Sequence, residues 1–287
     1  MNTLVQIKSA VAELPPQDQW SLLSWLQRRL KAVPEMVQSP IYKFLPPTRI
    51  SYLENQLLRF SQPRALNDPF ESANFHFPEL NEAFISSLDG AVENDTRDKL
   101  RSPAELKIFI NELIDKFGGK FGVLSLSERW NSSLMWAHYT DRHQGCCVGF
   151  NRDHPFFADD TLQKSKLRPV TYGFSRINFA EELNGQGPGM LFYKSTDWAY
   201  EEESRVVFFW QREGPIQFTQ EIKEDPLGVL IRLVQVPHEA ICELIVGMET
   251  PQGLRDKVVG LGAALKVPVF EAYPSLTKLT IDREQIA

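Results

Sequence analysis

The sequence predicts an α+β protein, with mixed or antiparallel sheets and surrounding helices, preceded by an N-terminal helical pair. Three observations carry this. Helical spacing of apolar residues fills the first thirty positions, a second and better-marked helix runs over 102–117, and short apolar runs bounded by turn residues recur from residue 41 onward. A polar, proline-punctuated stretch at 31–40 places a boundary near residue 38, giving a helical hairpin over 1–38 and an α+β domain over 39–287.

In the first segment Leu4, Ile7, Val11 and Leu14 share a helical face. Pro15-Pro16 breaks it, and Trp20, Leu23, Leu26 and Leu30 continue on a second helix. Helical spacing returns at 50–58, and Leu58-Arg59-Phe60 reads as a strand. Asn67-Asp68-Pro69-Phe70-Glu71 is a turn by its chemistry, because Asx side chains bond their own backbone and Pro69 keeps Asp68 out of the helical region. Ser102-Pro103-Ala104-Glu105 has capping-box spacing, and Gly118-Gly119 closes the helix that follows. Phe121 to Ser127 then reads as a strand with Ser125 and Ser127 on the face of Val123. Asn131-Ser132-Ser133 can cap a short helix carrying Met135, Trp136, His138 and Tyr139, and Cys146 to Phe150 is an apolar strand. Further strands are expected at 168–172, 204–210 and 244–246, with a helix at 252–261 and a closing hairpin over 267–281. The glycine-rich stretch 184–189 reads as a surface loop of the kind that forms lids.

Composition narrows the function classes. Hydrophobic residues make up 43% and charged residues 24% of 287 positions, which is an ordinary globular balance. With 31 Lys and Arg against 37 Asp and Glu, the net charge of -6 gives no global attraction to nucleic acid. No basic leader and no apolar run of membrane-spanning length stands in the sequence. The three cysteines, two of them adjacent, fit a reducing compartment, so a cytoplasmic protein away from membranes is expected.

Two clusters hold the reactive side chains. From Ser125 to Cys147 the chain mixes hydroxyls, Trp130, Trp136, Tyr139, His138 and His143, which suits a pocket that stacks a ring and hydrogen-bonds a sugar. The same residues equally suit a core strand and helix with satisfied polar groups. From Lys194 to Arg205, a strand beginning near Glu201 would put Glu201, Glu203 and Arg205 on one face. That face is either an ion-paired support or a catalytic base held by its neighbour. His138, His143, Cys146 and Cys147 match no paired zinc spacing, so no metal is expected. Cys147 near His143 has the residue types of a nucleophile and base but the position of a core residue.

Taken in order, Tyr42-Lys43-Phe44, Asn67 to Glu71, Ser125-Leu126-Ser127, Leu134 to Tyr139, His143-x-Gly145, Gly149-Phe150 and Trp198-x-Tyr200-Glu201-x-Glu203-x-Arg205 resemble the bacterial family catalogued as domain of unknown function 2971, over residues 41–280. That layout is in turn similar to ADP-ribosyltransferases, whose early strand, serine-bearing strand and glutamate strand surround NAD. The resemblance implies a toxin or phage-defence type ADP-ribosyltransferase or NAD glycohydrolase with NAD as substrate. Glu203 and Glu201 would then be catalytic, and Tyr42, Lys43, Ser125, Ser127, Trp136, His138, Tyr139, Trp198 and Arg205 would contact the nucleotide. The alternative is a non-catalytic nucleotide- or partner-binding regulatory module. A hydrolase using His138 or His143 as base is a third reading. The N-terminal helices resemble those of small toxin–antitoxin components, which implies a protein partner, a dimer, or simple cover for the core.

Overall fold

The computed structural model describes residues 39–71, 75–76, 118–178 and 189–287, with scattered positions within 7–22 and 102–112. The expected helical hairpin over 1–38, the helix over 102–117 and the loop over 184–189 fall mostly outside the described residues. The remainder is α+β. Its strands in chain order are β1 (Ile41–Leu45), β2 (Leu57–Arg59), β3 (Phe75–His76), β4 (Phe121–Ser127), β5 (Cys146–Phe150), β6 (Arg168–Pro169), β7 (Thr171–Gly173) and β8 (Ile177–Asn178). They continue with β9 (Tyr193–Ser195), β10 (Glu203–Phe209), β11 (Phe218–Glu224), β12 (Leu230–Gln235), β13 (Ile241–Val246), β14 (Val269–Pro274) and β15 (Ile281–Gln285). The helices used below are α1 (Tyr52–Asn55), α2 (Ser133–Tyr139), α3 (Pro155–Ala158) and α4 (Gln252–Leu265).

Eight strands form one sheet in the order β15-β14-β13-β5-β1-β4-β10-β6. Every pair is antiparallel except β13 and β14, which α4 connects as a crossover. β5 sits between β1 and β13, and all five of its residues are buried. That is why its sequence, Cys-Cys-Val-Gly-Phe, is apolar throughout instead of alternating. The alternation of β1 divides the core. Ile41 and Leu45 join Tyr52, Phe150 and Phe208, while Tyr42 and Phe44 join Trp136, Cys147 and Ile245. A second sheet, β11-β12-β2, packs Leu58 and Val234 into the first of these cores.

Sequence reading left out β11, whose residues carry Gln, Lys and Glu among few apolar ones, and with it the more apolar partner strand β12; it also ran the helix at 50–58 too long. Gln56 adopts a left-handed conformation that ends α1 after one turn and turns the chain into β2. The closing hairpin is displaced: its second strand begins at Ile281, where a hairpin ending there was expected.

Gly145 precedes β5 where the chain passes against the end of β1. A Cβ there would stand 2.0 Å from the carbonyl oxygen of Leu45, a backbone atom with little room to yield. Gly145→Ala is therefore expected to cost about 1–3 kcal/mol, read from the urea unfolding midpoint.

Candidate active site

β1 and β4 are neighbours in the sheet yet share one registered pair, Tyr42 opposite Ser127. Toward its start β4 instead bridges from Val123 to Ser61, just after β2. Between these two attachments lies a cleft of about 540 Å³, lined by residues of β1, β2, β4, α2 and the turn at 65–71. The backbone of β4 is satisfied there by a side chain: Lys43 Nζ donates to the Ser125 carbonyl at 2.9 Å.

The acidic wall of the cleft is a buried ion cluster. Arg205 donates through Nε to Glu203 Oε1 at 2.7 Å and through a terminal nitrogen to Glu203 Oε2 at 2.9 Å, and it also pairs with Glu71. Lys194 Nζ lies 2.6 Å from Glu201, 3.2 Å from Glu203 and 3.3 Å from Glu71. Its other side faces the ring of Trp198, 4.7 Å from the centroid. Tyr139 donates its hydroxyl to Glu201 Oε1 and accepts from Asn67 Nδ2 at 3.2 Å.

The three carboxylates do not share one electrostatic fate. Burial pushes the Glu203 carboxyl up, but Arg205 and then Lys194 overcome that and hold it at about 2. Burial raises Glu71 and Glu201 above the ordinary carboxylate range, against the pull of their cations. Burial and the Glu201 charge push the Tyr139 phenol far up, so it remains a donor. Glu203 is thus a fixed anion, whereas Glu71 and Glu201, which also line the cleft, hold a proton more readily; of these two, Glu71 pairs with Arg205 and Glu201 meets Tyr139 instead. Burial lowers Lys43 to about 8, in spite of Glu203 and Glu201.

Of the residues singled out from sequence, Tyr42, Lys43, Ser125, Ser127, His138, Tyr139, Glu201 and Glu203 line the cleft. Within this set Tyr42 directs its hydroxyl to Glu243 at 2.9 Å, and Ser127 Oγ donates to the Glu201 carbonyl at 2.7 Å, fixing the turn that carries Glu201. His138, exposed at the rim, meets the Tyr200 hydroxyl at 3.2 Å. Three others do not reach it. Trp136 is wholly buried and donates to the Trp130 carbonyl. Arg205, 1% exposed, lies behind Glu203, and Trp198 backs Lys194. Trp136 belongs to the core because its helical face, with Met135, is the one turned to β1.

The strand begins at Glu203, not near Glu201. A 3-10 turn, Thr196–Glu201, and a left-handed Glu202 precede it, and the two glutamates converge because Lys194 lies between them. Sequence reasoning passed over Glu71 and Lys194 as site residues, along with Asn67, Arg49 and Arg59 in the lining. Glu71 and Asn67 bound the turn motif, and Lys194 opened the second cluster, so the signal lay in motifs read only as shape. The pairing of Cys147 with His143 as nucleophile and base loses its chemistry, while His138 remains at the rim of the cleft. Burial holds the Cys147 thiol well above its ordinary value, His143 stacks on Trp136 with its Nδ1 buried and unpartnered, and no metal-holding group occurs among the described residues. No helix among those residues is long and apolar enough to cross a membrane.

Residues 135–206 match the family described as Protein of unknown function (DUF2971). The similarity to this family is confined to that stretch. It contains Tyr139, Lys194, Glu201, Glu203 and Arg205, so the Tyr139–Glu201 pair and most of the ion cluster lie within the matched stretch. Lys43, Asn67, Glu71 and Ser125 are supplied from before it. No curated protein and no solved structure matches the chain.

Proposed function

We propose that the protein cleaves the nicotinamide–ribose bond of NAD, passing ADP-ribose to an acceptor or to water. The observation that carries this reading is the charge layout of one cleft, where Lys43, Arg49 and Arg59 share the lining with Glu71, Glu201 and Glu203. A ligand suited to it has an anionic part, as a diphosphate is, and a part that becomes positive during reaction. When the C1′–N bond breaks, its electron pair leaves with nicotinamide, which departs neutral, and the ribose carbon gains oxocarbenium character. A carboxylate beside the ribose stabilises charge that exists only in the transition state. The acceptor's oxygen or nitrogen then bonds C1′, and its proton passes to Glu201. Tyr139 and Lys194 hold Glu201 in place for both steps.

Incubation with NAD is expected to release nicotinamide, detected chromatographically. The absence of both release and a rise in melting temperature with NAD would overturn the proposal, and a rise without release would assign the cleft to a nucleotide-binding regulatory module. Because Lys43 carries its charge below about pH 8 and loses it above, affinity for ADP-ribose is expected to weaken between pH 7 and pH 9. Calorimetry on Lys43→Met should show weaker binding at pH 7 and a flatter pH profile.

A further inference from the structure

Behind the ion cluster lies a second, smaller pocket of about 150 Å³, and Glu71 and Lys194 line both it and the main cleft. Its walls are the parallel pair β7 and β9 on one side and the turn at 68–71 on the other. β7 and β9 are drawn together so closely that a Cβ on Gly173 would stand 1.9 Å from the Tyr193 hydroxyl, which donates to the Ser175 carbonyl at 2.6 Å. The volume corresponds to about five waters at roughly 30 Å³ each, enough for one small ring and too little for a nucleoside.

Asp68 lines this pocket and is 1% exposed. Its Oδ1 accepts from the Phe70 amide at 2.9 Å, which forms the turn. Its Oδ2 is the one buried carboxylate oxygen among the described residues without a hydrogen-bond donor. A buried acceptor left bare is costly, so a ligand that brings a donor to it gains the full benefit of satisfying it. The rest of the lining limits what that ligand is. Asp68 and Glu71 are balanced by Lys194 and Arg176, so a neutral ligand enters without uncompensated charge. Ser195 supplies a hydroxyl donor for an acceptor atom. Phe70 and Phe174, 52% and 59% exposed, stand at the same pocket and offer apolar ring surface.

We infer that this pocket binds a neutral aromatic primary carboxamide, its NH2 donating to Asp68 and its carbonyl accepting from the opposite wall. If the proposed reaction holds, nicotinamide is such a molecule, and the pocket receives it across the Glu71–Lys194 partition. The binding itself does not depend on that reaction.

The test uses the full chain without nucleotide and three probes of one shape: benzamide, benzoate and benzamidine. Benzamide is expected to bind, with amide NMR shifts concentrated at residues 173–175 and 193–195, and at least tenfold tighter than either charged probe. Asp68→Asn keeps the acceptor that forms the turn but sets an NH2 where the ligand's donor lies. Benzamide affinity should fall at least tenfold in that variant while benzoate affinity rises, a reversal that loss of shape alone would not produce. Benzamidine or benzoate binding the wild type as tightly as benzamide, or shifts confined to the main cleft, would overturn the inference. The wild-type comparison decides the matter even if Asp68→Asn fails to fold.

Discussion

Arg205→Met is expected to destabilise the protein by roughly 3–5 kcal/mol, the range for removing one partner of a buried charge pair. The methionine keeps the unbranched stem out to the position of Nε and removes the guanidinium, so most of the loss is electrostatic. Arg205 is 1% exposed and makes two of its hydrogen bonds to Glu203 and a third to the Leu191 carbonyl at 2.8 Å, besides pairing with Glu71. Without it, Lys194 alone would face three buried carboxylates. Arg205→Lys should recover part of the loss, since it restores charge but not the planar two-point grip. The sign of the pH dependence follows from Glu203. Its folded pKa is depressed to about 2, so its stabilising contribution is present above its unfolded value near 4.5 and is lost as pH falls toward 2. The difference between wild type and Arg205→Met should therefore shrink across that window. Urea unfolding at several pH values measures it, and a difference below about 1 kcal/mol at pH 7 would mean that the cluster is not the support described.

Glu201→Gln is expected to do the opposite: reduce nicotinamide release by roughly 10²–10⁴-fold, the usual reach of a general acid–base group, with little change in stability. Burial raises the Glu201 carboxyl in the folded protein, so any stability linked to it is full below the unfolded pKa and is lost as pH rises through the folded one. Glutamine mimics the protonated form that folding favours. Its oxygen can accept from Lys194 and its NH2 can donate to the Tyr139 oxygen, so both existing contacts keep a partner. Tyr139→Phe removes the donor to Glu201 and should lower activity less, because the carboxylate that takes the proton remains. Measuring turnover and the urea midpoint on the same preparations separates a role in reaction from a role in folding. A Glu201→Gln protein that releases nicotinamide at the wild-type rate would remove Glu201 from the chemistry.

Arg205 and Glu201 stand four residues apart in one sequence cluster, and their different roles illustrate what a linear reading can reach. The cluster was legible because charged residues ran directly into an apolar strand, which requires that some of those charges be buried. Which carboxylate is locked and which is free was not legible. That depends on the counts and directions of cations brought from elsewhere: Arg205 grips Glu203 at two points, while Glu201 has one lysine and a tyrosine. Trp136 shows the same limit from the other side. Its type and spacing suit a stacking residue as well as a core residue, and only the packing of α2 against β1 decided for the core.

The sequence by itself determined the α+β class, the strands β4, β5 and β10, the capped helix α2, and the two segments that meet at the cleft. These follow from periodicity, capping residues and turn chemistry, all of which act over a few neighbours. Only the tertiary structure decided that β1 and β4 join at a single pair and leave a cleft beside it. Only it brought Glu71 from the turn at 68–71 to Arg205, and left Asp68 of the same turn with a bare oxygen in a second pocket. Contacts between residues more than a hundred positions apart are set by sheet order and register, and no local pattern encodes them.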